Sequence, residues 1–426
     1  MRFLSIWRLS RSELLSTFFP TWIWQGLEWS EWRIPKHDPY YWGNAHAHPV
    51  LSTYYPPSAI TAFLFNTATL DKAFIGYISL LFSHIIFGFV GYFWLFRTWA
   101  DPLPSLFGAL TCTFGAYSLK QQPCIIYTLA WFPLTLQQDP MVSTLALGMM
   151  LLAGYYPFSI YLLPIAVISH ILWYREAWLL TGVIIGLPQI IPFLKYLPKT
   201  VKRLDDKCEE SPEVERRFYV GVIPIMLLPF STSRIWPIAI VSAVFSLGIL
   251  RHVFPRIHER WLIVLQFCLG WMAVSALNNL NLATTTMCVM VFVHAFDLFW
   301  HNRTCLPATP WVELWDRPSR AFRRTRFMRE LMNELKDSDF KFKVAGLPYP
   351  LFTGHIHGIR TIGYCGSMQT KEMWAWRKSF KHDPFIDGVN HDDLTRNGVK
   401  YAVTRKRPDR WNKVYGTKNL YRNPDP

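Results

Sequence analysis

Apolar runs of near-spanning length recur along the first three hundred residues, at about 73–96, 141–173, 177–195, 235–253, 261–278 and 280–300. A helix that crosses a hydrocarbon core of about 30 Å needs roughly 20 such residues. A soluble domain alternates polar and apolar positions at the period of its helices or strands; these runs do not. Bilayer is therefore the solvent that this part of the chain is built for. The run 141–173 is too long for one crossing and contains Gly154, Pro157 and Pro164, so a break is expected between Gly154 and Pro157. Shorter runs at 57–70, 105–119, 124–137 and 219–230 are short spans, re-entrant pieces or interfacial helices. The total expected is about eight to eleven membrane helices.

Composition agrees where it bears on solvent. The 426 residues are 51% hydrophobic and 16% aromatic, with 20 tryptophans. Tryptophan and tyrosine collect where hydrocarbon meets headgroups. Thirty prolines imply kinked helices, whose freed backbone groups need partners in protein or in a wet crevice. Beyond Trp300 the character changes. About half of the 44 lysines and arginines lie from His301 onward, so most of the formal charge of +15 is placed there. Such charge serves headgroups or an anionic substrate, and no nucleic-acid-binding motif accompanies it. The expected organisation is a transmembrane body over 1–300, a Pro- and Arg-rich linker and helix over 301–339, and a soluble α+β domain over 340–426. That domain has strands near 341–346, 355–363, 399–405 and 413–422 and helices near 367–380 and 391–396. The short basic loop Arg251, Arg256 and Arg260 is expected in the cytoplasm, and the mixed-charge connection 196–218 outside.

Seven scattered cysteines include no closely spaced pair of the kind that zinc or a redox centre uses. His37, Asp38, His46 and His48 have metal-ligand chemistry, but such alternation in a loop serves surface polarity equally well, so no metal ligand is assigned and no cofactor motif is found. His355 and His357 share a strand face and could line a pocket. Asp297, near the end of a membrane helix, is costly to bury and is thus a candidate for function.

From Phe18 to Pro57 the chain is polar, aromatic and proline-rich, and reads as a long loop between membrane helices. Its aromatic faces could stack on sugar rings and its carboxylates could bind hydroxyls; a belt loop resting on the membrane surface would use the same residue types. The order of residues, Phe19-Pro20, Asp38-Pro39-Tyr40, Gly43 with His48-Pro49 and Tyr55-Pro56-Pro57, resembles the first external loop of the bacterial YfhO-type membrane proteins. Further matches follow in order: Ala130-Trp131-Phe132-Pro133, Gly154-Tyr155-Tyr156-Pro157, Pro188-Gln189-Ile190-Ile191-Pro192, Phe218-Tyr219-Val220-Gly221, Phe296-Asp297-Leu298 and the closing strands around Val399 to Asn423.

The resemblance implies a C-type glycosyltransferase-like membrane fold in the bacterial cytoplasmic membrane, multi-pass, moving a sugar from a polyprenyl-phosphate donor to a cell-envelope acceptor outside it. Glu13 and Asp38 take the acidic roles at the reaction centre. Tyr40, Trp42, His48 and Tyr55 would line it. From residue type alone, Lys202, Arg203 and Arg217 in the connection 196–218 could hold the donor phosphate, or belong to a solvated loop with Asp205, Asp206, Glu209 and Glu210 as partners. The family usually has Asp at the position of Glu13, with a full membrane helix before it. Only about a dozen residues precede Glu13 here, so the chain is expected to lack that helix. The alternative of a non-catalytic membrane assembly or transport component with the same fold follows from that expectation.

Overall fold

The computed structural model describes residues 19–35, 37–38, 45–46, 52–65, 69–115, 123–154, 156–171, 178–196, 218–246 and 257–304. In the C-terminal part it describes 343–345, 399–403, 412–413, 420–422 and the single positions 392, 395, 410 and 424. The body is helical: α1 Phe19–Ser30, α2 Pro56–Phe65, α3 Leu70–Arg97, α4 Pro102–Phe114, α5 Pro123–Thr135, α6 Pro140–Leu152, α7 Tyr156–Ser169, α8 Gly182–Tyr196, α9 Val222–Met226, α10 Trp236–Ser246, α11 Ile257–Leu280 and α12 Thr284–Thr304. Between α1 and α2, β1 (His37–Asp38) pairs antiparallel with β2 (Ala45–His46).

Among the described residues, three stretches are long and apolar enough to cross a membrane: Leu70–Arg97 with mean hydropathy 2.0, Trp178–Lys195 with 1.5, and Trp261–Leu280 with 1.6. At 1.5 Å per residue, α3 extends about 42 Å. The expectation of eight or more spanning helices is not met by length among the described residues. Several apolar helices, including Pro56–Phe65, Cys124–Thr135, Pro140–Leu152 and Trp236–Ser246, are 10–17 residues long and so fall short of a bilayer core. The exterior is nonetheless apolar. Ile86, Val90 and Trp94 on α3, Ile184, Ile191 and Leu194 on α8, and Phe292 and Phe296 on α12 are all exposed. An apolar outer face of this extent fits hydrocarbon rather than water, and the chain is a membrane protein.

Local sequence accounts for the helix boundaries. Asp139 caps α6 by accepting from the backbone N–H of Met141 (2.8 Å) and Val142 (3.1 Å), with Pro140 in the first turn where no N–H is needed. The expected break in the run 141–173 falls between α6 and α7, where Gly154 takes φ +87°. Pro133, Pro164, Pro188 and Pro192 lie inside α5, α7 and α8.

The largest core cluster joins α3, α4, α5, α6, α7 and α11 through Tyr92, Phe96, Cys112, Phe132, Met150, Leu162 and Phe267. A second joins α1, α2, α3 and α5 through Phe19, Trp22, Phe74, Tyr77, Leu81 and Tyr127. Without a hydrophobic drive between helices in lipid, such contacts act through close packing.

One expectation is corrected. The segment 18–57 is not a single loop, because α1 fills its first part and α2 begins at Pro56. Phe19, Trp22 and Gly26 fall at helical spacing on one face and are buried, and Thr21 and Gln25, polar residues that read as loop, are buried as well.

In the C-terminal part, β3 (Lys343–Ala345), β4 (Val399–Val403), β5 (Asn412–Lys413) and β6 (Leu420–Arg422) form a sheet of order β3-β4-β6-β5. β3 and β4 are parallel, and β6 runs antiparallel to both β4 and β5. The run 413–422, expected as one strand, is the two arms of a hairpin. The strand expected at 355–363 and the helix at 367–380 lie outside the described residues.

Candidate functional site

The exit of the aromatic segment, Ser52 to Tyr55, is non-helical backbone held among helices. Non-helical backbone enclosed by apolar helices persists where protein partners its polar groups, and here three elements do so. Gln25 Nε2 of α1 donates to Thr53 Oγ1 (3.1 Å), Ser52 Oγ donates to the Ala153 carbonyl after α6 (2.5 Å), and Gln189 Oε1 of α8 accepts from Tyr54 N–H (3.3 Å). Gly154, left-handed, lets the α6 end approach: a methyl there would lie 3.0 Å from Ser52 N and 3.1 Å from Gln189 Nε2.

Tyr55 completes the attachment. Its hydroxyl lies 2.5 Å from His84 Nε2 and accepts from Trp131 Nε1 at 2.6 Å, while His84 Nδ1 lies 2.7 Å from the Leu80 carbonyl. A carbonyl only accepts, so Nδ1 carries the proton and Nε2 accepts the Tyr55 proton. The chain from Trp131 through Tyr55 and His84 to Leu80 has every donor matched to an acceptor, which fixes one tautomer and one ring orientation. His84 stands midway along α3, the longest apolar helix, where an ionisable residue is rare and marks a site that matters. Tyr127 stacks on Tyr55 (centroids 5.4 Å, 22°) and lies 4.5 Å from His84.

Beside His84 is a cavity of about 30 Å³ lined by Gly88, Tyr92, Cys112, Thr113 and Ala130 among others. Thr113 Oγ1 is buried there without a hydrogen-bond partner. Such a volume admits a water or two and no sugar.

Of the residues proposed from sequence, Tyr55 is placed in full, and its expected role is corrected. Its ring is 0% exposed and one face is taken by Tyr127, so it supports the loop instead of offering a face to sugar. Asp38 is placed by its backbone alone: it pairs with Ala45 in β1–β2, with His37 opposite His46. Glu13, Tyr40, Trp42, His48, Lys202, Arg203 and Arg217 lie outside the described residues, as do His355 and His357. Asp297 lies two turns before the end of α12, inside the helix and not near its end as expected, and accepts from Tyr219 Oη (2.6 Å) and Val222 N–H (3.1 Å). No group of three or more potential metal ligands occurs among the described residues. His84 went unremarked in the sequence, although its central place in an apolar helix was the signal for it.

Replacing Gln189 with leucine, close to it in volume, leaves the half-buried Tyr54 N–H without that acceptor. A loss of about 1–3 kcal/mol is expected, read as a lower thermal unfolding midpoint of the purified protein in detergent. An unchanged midpoint would show that this bond does not hold the segment.

No family model matches the sequence, and no curated protein matches it. Among solved structures, the arabinofuranosyltransferase AftD from mycobacteria is similar, with a TM-score of 0.55 and 14% identity over 96% of this chain. A mutant of the same enzyme gives 0.52 and 14% over 99%. This chain spans about a third of that protein, 34% and 37% of its length in the two structures. At this identity the likeness concerns the fold alone: a helical membrane body followed by a small C-terminal sheet.

Proposed function

We propose that this chain is a membrane glycosyltransferase, moving a sugar from a polyprenyl-phosphate donor to a cell-envelope acceptor at the outer side of the bacterial cytoplasmic membrane. The observation that carries the reading is the fold likeness to an arabinofuranosyltransferase over 96% of this chain. The lipid-linked donor and the multi-pass inner-membrane setting belong to this proposal.

Glu13 or Asp38 takes the proton of the acceptor hydroxyl, whose oxygen then attacks the anomeric carbon. The bond from that carbon to the phosphate oxygen breaks, and the electron pair leaves with polyprenyl phosphate. A placed base and a cationic clamp on the leaving group are what such a step needs. Lys202, Arg203 and Arg217 supply the clamp through charge-assisted hydrogen bonds. Tyr40, Trp42 and His48 line the sugar site, and Tyr55 acts one layer behind it as a positioning residue for the loop.

The test is transfer of labelled sugar from polyprenyl-phosphate donors into membrane material by cells expressing the intact chain, Glu13→Ala or Asp38→Ala at matched levels. Incorporation should fall sharply in at least one of the two variants. Equal incorporation in all three would leave the non-catalytic assembly or transport reading as the better one.

A further inference from the structure

Away from the aromatic segment, the middle of α12 carries a second polar cluster. His294 is fully buried, with its ring stacked on Phe107 (centroids 4.1 Å, 19°). Its Nε2 lies 2.8 Å from Thr111 Oγ1, and that hydroxyl lies 3.0 Å from the Phe107 carbonyl. The carbonyl takes the hydroxyl proton, so Nε2 carries the imidazole proton and Nδ1 is left with a bare lone pair. Nδ1 is buried and has no hydrogen-bond partner.

One turn further along, Asp297 accepts from Tyr219 and from Val222 N–H. Gly221, between those two partners, covers both acceptors. A methyl on it would lie 2.7 Å from His294 Nδ1 and 3.3 Å from Asp297 Oδ2. Its φ of +92°, a region that L side chains rarely adopt, keeps the position to glycine. A neutral imidazole nitrogen and a carboxylate oxygen thus face one spot, and both are acceptors.

We propose that His294 Nδ1 and Asp297 form a proton-binding site, and that loading it releases the 219–222 segment from α12. A proton taken from water onto Nδ1 turns an acceptor into a donor directed at Asp297. It competes there with Val222 N–H and Tyr219 O–H, and Gly221 must withdraw for the new bond to close. Among the described residues, the titratable groups that face this site are Asp297 on α12 itself and Tyr219 on the segment, with His301 stacked on the Tyr219 ring (3.6 Å). From α4 it is faced by Phe107 and Thr111, which do not titrate, and Gln266 of α11 is bonded to the Thr111 carbonyl. The site is independent of whether the chain transfers sugar.

Hydrogen–deuterium exchange of the peptide covering 219–226 tests it, on the full chain in lipid nanodiscs. Rates are corrected for intrinsic exchange at each pH from about 8 to about 5, the window in which histidine changes charge. Wild-type protection should fall by about tenfold, the change that a one-unit pKa difference between the closed and released segment gives, while peptides from α3 and α11 hold theirs. In His294→Gln the fall should vanish with protection retained. In Asp297→Asn protection should be low throughout and flat with pH. A wild-type profile flat with pH, or a fall in His294→Gln equal to that of the wild type, would overturn the proposal.

Discussion

Truncating Tyr55 to alanine is expected to destabilise the membrane body by about 3–5 kcal/mol, the range for removing a large buried aromatic side chain. The ring is fully enclosed, and it fills the space between Tyr127, His84 and Trp131. No lipid or water can enter to replace it without opening the junction of α2, α3 and α5. Tyr55→Phe separates packing from hydrogen bonding. It keeps the ring but leaves His84 Nε2 without its donor and Trp131 Nε1 without its acceptor, at a cost of about 1–3 kcal/mol. The two variants, compared by unfolding midpoint in one detergent, should therefore rank alanine well below phenylalanine. If both lose the same amount, the ring packs less tightly than the geometry requires, and the hydroxyl alone holds the segment.

That residue also shows where sequence reading reached its limit. Tyr54-Tyr55-Pro56-Pro57 has the composition of an exposed aromatic loop, and nothing local distinguishes a ring that meets solvent from one that helices close over. The covering residues come from distant elements, His84 on α3 and Tyr127 and Trp131 on α5. Gln25 misleads in the same way. A glutamine beside tryptophans reads as loop or interface, but here its amide turns inward to Thr53, 28 residues away. Polar residues that pair across the fold look identical in sequence to those that face water.

Where a property follows from the local chain, it was legible. The run 141–173 had to break because its length exceeds one crossing and because Gly154 tolerates a left-handed turn, and α6 and α7 part there. The strands at Val399–Val403 and Leu420–Arg422 show the apolar enrichment of a covered sheet, and Val399, Tyr401 and Tyr421 are buried. Helix length was less legible than helix position, since prolines and caps end many helices well inside the apolar runs that announce them. Of the candidate site, the aromatic segment was marked from sequence, while its anchors His84 and Gln189 required the packing of α3 and α8 to be known.

Enlarging Gly26 to leucine is expected to force α1 from α2 at a cost of about 3 kcal/mol, the upper end for overpacking a close-packed interior. A single methyl at this position would lie 2.6 Å from the Ala62 carbonyl oxygen, 2.8 Å from its carbon and 3.0 Å from its Cβ. Two of those three atoms are backbone, so no rotamer change relieves the contact and the helices must separate. Small residues at such crossings are what let membrane helices approach closely. The consequence extends beyond stability because α1 and α2 are the two ends of the span that carries Asp38, and separating them draws Gln25 away from Thr53 and strains the Tyr55 attachment. Gly26→Leu should therefore lower the unfolding midpoint and, if the chain transfers sugar as proposed, abolish transfer even though no reacting group has been altered. Gly26→Ala, with one methyl against the same carbonyl, should fall between wild type and leucine in both measurements. A leucine variant with an unchanged midpoint would mean that α1 is not clamped against α2, and the second core cluster would then have to be held together by α3 and α5.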